Sequence, residues 1–203
     1  MKGRLLPFRI IPAWIMGLPM LLALWCCGSM GTGKTNSSAH SGLTVRTLDF
    51  RPLTYFDRYC SRCHGPFGSY YGKDFARDLS PEALQQKVME MVAGPGGAPL
   101  SGDSLAALVA FHHSLSTGKP FIVITEASRD SLIGEVTPGV PLRMYCGNQV
   151  ATLSVRGYRW SVRKPPWLDN CSSGELRIAA GTGGNETILN PAGAAYSHPG
   201  SVR

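Results

Sequence analysis

Acidic side chains are scarce, and the first 43 residues contain none. The chain of 203 residues has 13 Asp and Glu against 20 Lys and Arg, a formal charge of +7. Four of the bases fall in that acid-free opening. Residues 44–120 carry eight bases against seven acids, and residues 121–203 carry eight against six. The basic balance therefore sits mainly in a leader, which is weak ground for nucleic-acid binding, and no nucleic-acid partner is expected. Charged residues make up only 16% of the chain and apolar ones 43%, which excludes a wholly disordered protein. Gly 24 and Pro 15 occur without a G-X-Y period, so collagen is excluded and loops and short strands are favoured. The length suits one or two small domains.

The leader has Lys2, Arg4 and Arg9 before an apolar run from Ile10 to Cys27. A basic start and an apolar core read as a secretory signal over residues 1–27. Pro12, Gly17 and Pro19 make the run a poor permanent helix. Export with cleavage is expected, with an uncleaved N-terminal anchor as the alternative. Leu24 stands three residues before Cys27, which resembles a bacterial lipoprotein signal, although Cys26 departs from the usual small residue. Lipidation of Cys27 and plain cleavage both stay open. Acyl chains there would anchor the body to a membrane.

Gly28-Ser-Met-Gly-Thr-Gly33-Lys34-Thr35 spells a P-loop. A phosphate site needs a strand before the loop and a helix after it. Here a signal core precedes and Asn36-Ser-Ser-Ala-His-Ser-Gly42 follows, so residues 28–47 read as a flexible tether and no nucleotide is expected.

Cys60-Ser61-Arg62-Cys63-His64 is the informative motif. Two thiols one helical turn apart, followed at once by His, form the attachment signature of c-type haem. Each thiol can add to a vinyl group on one porphyrin edge, and the adjacent imidazole can ligate the iron. A dithiol redox motif would want a βαβ context, which the flanks lack. Zinc would want a second Cys pair or a spaced His pair, and Cys146 and Cys171 lie too far down the chain to supply one. One covalently held haem c on Cys60 and Cys63, with His64 on the metal, is the expectation.

The flanks resemble the class I cytochrome c domain over about residues 48–116. Phe56 stands four before the first Cys, where the family has a packing aromatic. Pro52 stands where the family usually has Gly. Leu108 and Phe111 look like the family's Leu-x-x-aromatic pair on its last helix. Ser80-Pro81-Glu82 is a helix start, Leu84, Val88, Met91 and Val92 form an apolar face, and Gly94 stops that helix. The resemblance implies an iron-ligating Met in the loop Gly94–Leu100, but Ala98 occupies that place. Met91, Met89, His112 and His113 are the nearest substitutes, and an iron with no sixth protein ligand is the remaining alternative.

Beyond Gly118-Lys119-Pro120 the periodicity changes. Residues 121–125, 140–145, 151–155, 158–162 and 175–179 are short strand-like runs separated by turn residues. They predict a small β-sandwich over 119–189, immunoglobulin-like in topology. Cys146 and Cys171 are expected to pair in an oxidising compartment. Tyr158, Arg159, Trp160, Arg163 and Lys164 cluster near Trp167, either as an ordinary strand with a solvated face or as a docking surface for an acidic partner. Residues 190–203 read as a flexible tail.

The expected fold class is thus α+β with two domains, an all-α cytochrome c-like domain over 48–118 followed by the β-sandwich. The expected function is single-electron transfer between envelope redox partners in a bacterial periplasm or cell envelope. The alternative is a haem-based module that binds or senses small ligands at an open sixth site. Enzymatic turnover by this chain alone is not expected, because no further catalytic or cofactor motif accompanies the haem signature.

Overall fold

The computed structural model describes residues 37–40, 43–94 and 97–198, the first strand by its backbone only. The leader of residues 1–27, Cys27 and the glycine-rich stretch 28–35 lie outside the described residues. Among the described residues no helix is long and apolar enough to cross a membrane.

The helices begin and end where local chemistry dictates. Helix α1, Pro52–Tyr59, has Pro at its first turn, where the missing N–H costs nothing. Helix α2 is a single turn, Ser61–His64. Helix α3, Pro81–Ala93, is capped by Ser80, whose Oγ accepts from the Ala83 N–H at 3.2 Å. Helix α4, Gly102–Thr117, stops at Gly118 in the left-handed region, where the N–H groups of Gly118 and Lys119 close the last carbonyls.

The described residues also include two short 3-10 helices, Pro66–Gly68 and Pro166–Asn170, and nine strands. Strands β1, Ser37–His40, and β2, Leu43–Arg46, pair antiparallel with each other. The rest are β3 (Ile122–Ala127), β4 (Ser131–Val136), β5 (Leu142–Cys146), β6 (Gln149–Arg156), β7 (Arg159–Arg163), β8 (Leu176–Thr182) and β9 (Asn185–Leu189). These seven form one antiparallel sheet in the order β3-β4-β7-β6-β5-β8-β9. Strand β6 is shared between its neighbours: Gln149–Leu153 pair with β5 and Ser154–Arg156 with β7. The sheet therefore curls about β6 and buries one face on itself. Ile122, Leu132, Leu142, Trp160, Ile178 and Leu189 meet in that core, and Leu43 and Val45 of β2 join them. Gly134 makes the curl possible at β4. A Cβ there would lie 2.0 Å from the Val123 carbonyl oxygen and 2.6 Å from the Trp160 ring.

A second core lies among the helices. Leu53 and Phe56 of α1, Val88 and Val92 of α3, and Leu108 and Phe111 of α4 fill it. Phe121 and Val123, at the start of β3, belong to this same core. Residues 195–197 run back along β3: Ile124 N–H donates to Ala195 O and Ser197 N–H to Ile122 O, each at 2.8 Å.

This architecture corrects the expected fold class. Among the described residues there is no separate all-α domain of the class I cytochrome c type and no immunoglobulin-like sandwich of two sheets. The seven-stranded curled sheet dominates the described residues, accompanied there by four α-helices. The physical reason is in the packing. Two of the four helices span eight and four residues, and the helical layer completes its core only by taking side chains from β3. Five of the seven strands were legible as runs, but β6 joins them into one sheet instead of two. The described residues belong to one compact unit.

Candidate functional site

Cys60, Cys63 and His64 lie on α2 and on the residue that links it to α1. Cys60 ends α1, with its N–H donating to Phe56 O at 2.8 Å, and its own carbonyl accepts from Cys63 and His64 at 3.1 and 3.0 Å. The two thiols are free, Cys60 half-buried and Cys63 exposed. One helical turn puts both on one face. Burial, with Cys63 beside it, pushes the Cys60 thiol up to about 11.

Gly65 turns the chain sharply after His64. It has φ 73°, and a Cβ there would lie 2.4 Å from Ser69 Oγ and 2.7 Å from the Tyr70 ring. Phe67 follows in the left-handed region at φ 49°, a strained place for an aromatic residue. Its ring meets Tyr158, at the β6–β7 turn, edge-on at 5.2 Å.

The His64 ring lies 4.7 Å from Tyr71, which stacks on Phe75 at 3.9 Å. Among the described residues no hydrogen bond occupies either His64 ring nitrogen. Burial pushes the Tyr71 hydroxyl above its ordinary value, and that hydroxyl approaches His112 Nε2 at 3.4 Å. His112 is 1% exposed, and its Nδ1 lies 2.8 Å from Leu108 O. Burial, with a smaller contribution from His64, lowers its pKa to about 4. His112 is therefore neutral at pH 7, with Nδ1 carrying the proton toward Leu108 and Nε2 accepting from Tyr71.

The loop with Ala98 is held by α1. The Tyr55 hydroxyl donates to Ala98 O, and the Ala98 N–H returns a bond to that hydroxyl at 3.0 Å. Ala98 presents only a methyl group. Met91 is half-buried and packs against the helical core, whereas Met89 is exposed. His113 has its Nδ1 buried without a hydrogen-bond partner.

Reading the residues in sequence did not find Glu135. This β4 carboxylate is 1% exposed and accepts from Leu53 N–H at 2.8 Å, Thr54 N–H at 3.2 Å and the Thr54 hydroxyl. It caps the start of α1 and so ties the helix that precedes the cysteines to the sheet. Burial pushes its pKa up, against the hydrogen bonds from α1 and the nearby Arg159, which lower it. The signal was present in Leu132-Ile-Gly-Glu-Val136, an acid inside an apolar run.

The remaining cysteines are joined: Cys146 and Cys171 form a disulfide with Cα atoms 6.0 Å apart. With Glu175 they make a close group of potential metal ligands, but two of its three members are spent in the S–S bond. Cys60, Cys63 and His64 do not converge into such a group. Haem attachment asks for no convergence, because the thiols meet the ring edge and the imidazole meets the metal at its centre. No protein-family model, no curated protein and no solved structure matches this chain.

Proposed function

We propose that the segment Cys60–His64 holds one covalently attached haem c, and that the protein carries single electrons between redox partners of the bacterial envelope. The observation that carries this reading is the pair of free thiols on one helical turn, with an unengaged imidazole next in sequence. Tyr71 lies beside His64 with Phe75 stacked on it, and both belong with Phe67, Met91, Leu100 and Leu105 to the half-buried apolar rim of the helical core. Half-buried apolar side chains gain from burial against a large apolar ring. Cys60 and Cys63 would hold the ring through thioether bonds, each formed by adding S–H across a vinyl C=C without any oxidant. His64 would bind the iron through its free nitrogen. Haem supplies a one-electron couple whose potential depends on its axial ligands and burial. Tyr71 and Phe75 would screen His64 from water, and Gly65 permits the turn that sends the chain past the ring edge.

A second reading, small-ligand binding at the iron, is favoured by the far side of the loop. Ala98 has no ligating atom, and both ring nitrogens of His112 are already engaged. Met91 and His113 remain as candidates to close the site.

Absorption spectra of the dithionite-reduced full chain, before and after carbon monoxide, separate these readings. The C60A/C63A double variant tests the attachment itself. The expected result is haem that stays with the denatured polypeptide in the parent and is lost from the double variant. A parent purified from a haem-maturing host without haem bands would overturn the proposal. A prompt carbon monoxide shift would move the function from electron transfer to ligand binding.

A further inference from the structure

The outer face of β6 and β7 carries a charge arrangement that the fold itself does not need. Residues directly opposite on paired strands point to the same side of a sheet, as do alternate residues along one strand. Arg159, Ser161 and Arg163 therefore share the outer face of β7. Arg156 stands opposite Arg159, and Ser154 opposite Ser161. All five are exposed. Like charges directly across a ladder destabilise it. The ion pairs among the described residues join Arg51 to Glu126, Arg77 to Asp74, Lys87 to Glu90 and Arg143 to Glu186, and none includes a residue of this strip. Glu135, opposite Arg159, attracts that one guanidinium, but its carboxylate is buried and its oxygens accept from α1, so it leaves the exposed positive charge of Arg156 and Arg163 in place.

The strip also touches the cysteine segment. Tyr158 joins Arg156 to Arg159 through the β6–β7 turn, and the Arg159 guanidinium lies 5.9 Å from the centre of the Tyr158 ring. The Tyr158 ring also meets Phe67, three residues past His64.

We infer that this face docks an acidic protein partner, and that docking places the partner beside the Cys60–His64 segment. The docking stands on the charge arrangement. That the docked partner exchanges electrons rests on the function proposed above. The chemistry favours a protein over a membrane or a nucleic acid. Between the arginines stand serines, not the bulky apolar side chains that enter lipid. The aromatic ring nearby is covered by Phe67 and Arg159, so it offers no stacking platform for bases. Guanidinium groups flanked by hydroxyls suit planar carboxylates, which they bind through two parallel bonds.

The test uses the full chain with poly-L-glutamate as the probe. Binding is measured by calorimetry in low and high salt. The R156Q/R159Q/R163Q variant is compared with K73Q/K87Q/R177Q, which removes equal charge elsewhere. A lysine version of the first variant retains the charge and guards against misfolding, and circular dichroism checks all three. The expected result is at least about a tenfold loss of affinity for the first variant and under about twofold for the second, with steep weakening by salt in the parent. Equal losses in the two glutamine variants would overturn the inference, because net charge alone would then explain binding. Stronger pelleting with phosphatidylglycerol vesicles than with phosphatidylcholine, abolished by the same three arginines, would overturn it in favour of a lipid surface. A chain that lacks covalent haem yet binds poly-L-glutamate through these arginines would sink the electron-transfer reading and leave the docking surface standing.

Discussion

His112 shows how burial can outweigh a hydrogen bond in setting a residue's chemistry. Unfolded, it would take a proton near pH 6.5; folded, it does so only near pH 4. Between those values the unfolded chain binds more protons, so acid pulls toward unfolding. Stability is full above pH 6.5 and falls as the pH drops toward 4, by about 3 kcal/mol if His112 acts alone. Urea midpoints at pH 7.5 and 4.5 should show this loss in the parent. His112→Leu, which keeps the core filled, should remove most of it. An identical acid slope in both proteins would mean that other groups govern the transition. The spacing of Leu105, Leu108, Val109 and Leu115 in the sequence puts His112 on the apolar side of its helix. It did not reveal Tyr71 as the partner of Nε2, since the two are 41 residues apart and only the tertiary packing joins them. The cysteine motif was legible for the opposite reason: its chemistry is local and lies within five consecutive residues.

At the level of elements, helix starts and stops were written plainly, and strand partners were not. Ser80-Pro81 and Gly118 mark helix ends by backbone chemistry that any reader of the sequence can apply. Strands β4 and β9 escaped notice because Gly134 and Glu135 break the apolar alternation of one, and Asn185-Glu-Thr187 opens the other with polar residues. Both Gly134 and Glu135 serve a partner elsewhere, the Trp160 ring and the start of α1. Glu135→Ala should cost about 3 kcal/mol, combining a lost helix cap with a buried N–H left unpaired. Glu135→Gln retains an acceptor oxygen and should cost less. Denaturant titration of both variants checks the order, and a larger loss for Gln would refute the capping role. The disulfide acts at the same scale. It links the end of β5 to the segment before β8 across a sequence separation of 25, and C146A/C171A should lose about 3 kcal/mol by the chain-entropy relation. Reduction of the parent should reproduce that loss.

Across the whole molecule, the correction to the expected architecture comes from two shared elements. Strand β6 belongs to both halves of the sheet, and β3 belongs to both cores. Neither kind of sharing leaves a signature in periodicity, because a strand that serves two neighbours has the same alternation as one that serves a single sheet. The helical core takes Phe121 and Val123 from β3, so the segment that carries the cysteines is not stabilised independently of the sheet. Phe121→Ala should therefore weaken both layers together, by about 3–5 kcal/mol for a fully buried ring. Hydrogen exchange would report it: protection should drop in α4 and in β3–β4 alike. Loss confined to the sheet would show that the helices stand alone.

The return of residues 195–197 to β3 has a consequence for the order of events during synthesis. The strand and its partner segment are separated by about seventy positions, so a growing chain presents the outer edge of β3 long before the residues that cover it have been made. An uncovered edge is an invitation to pair with another chain. The helices and the hairpin of β3 and β4 can assemble early, but the nascent protein stays adhesive until its last strand-pairing segment is released. A chain ending at Asn190 should accordingly yield aggregates in a cell-free translation where the full chain yields monomer. The interval between translating Ala127 and Ala195 would then be the period in which a chaperone is needed.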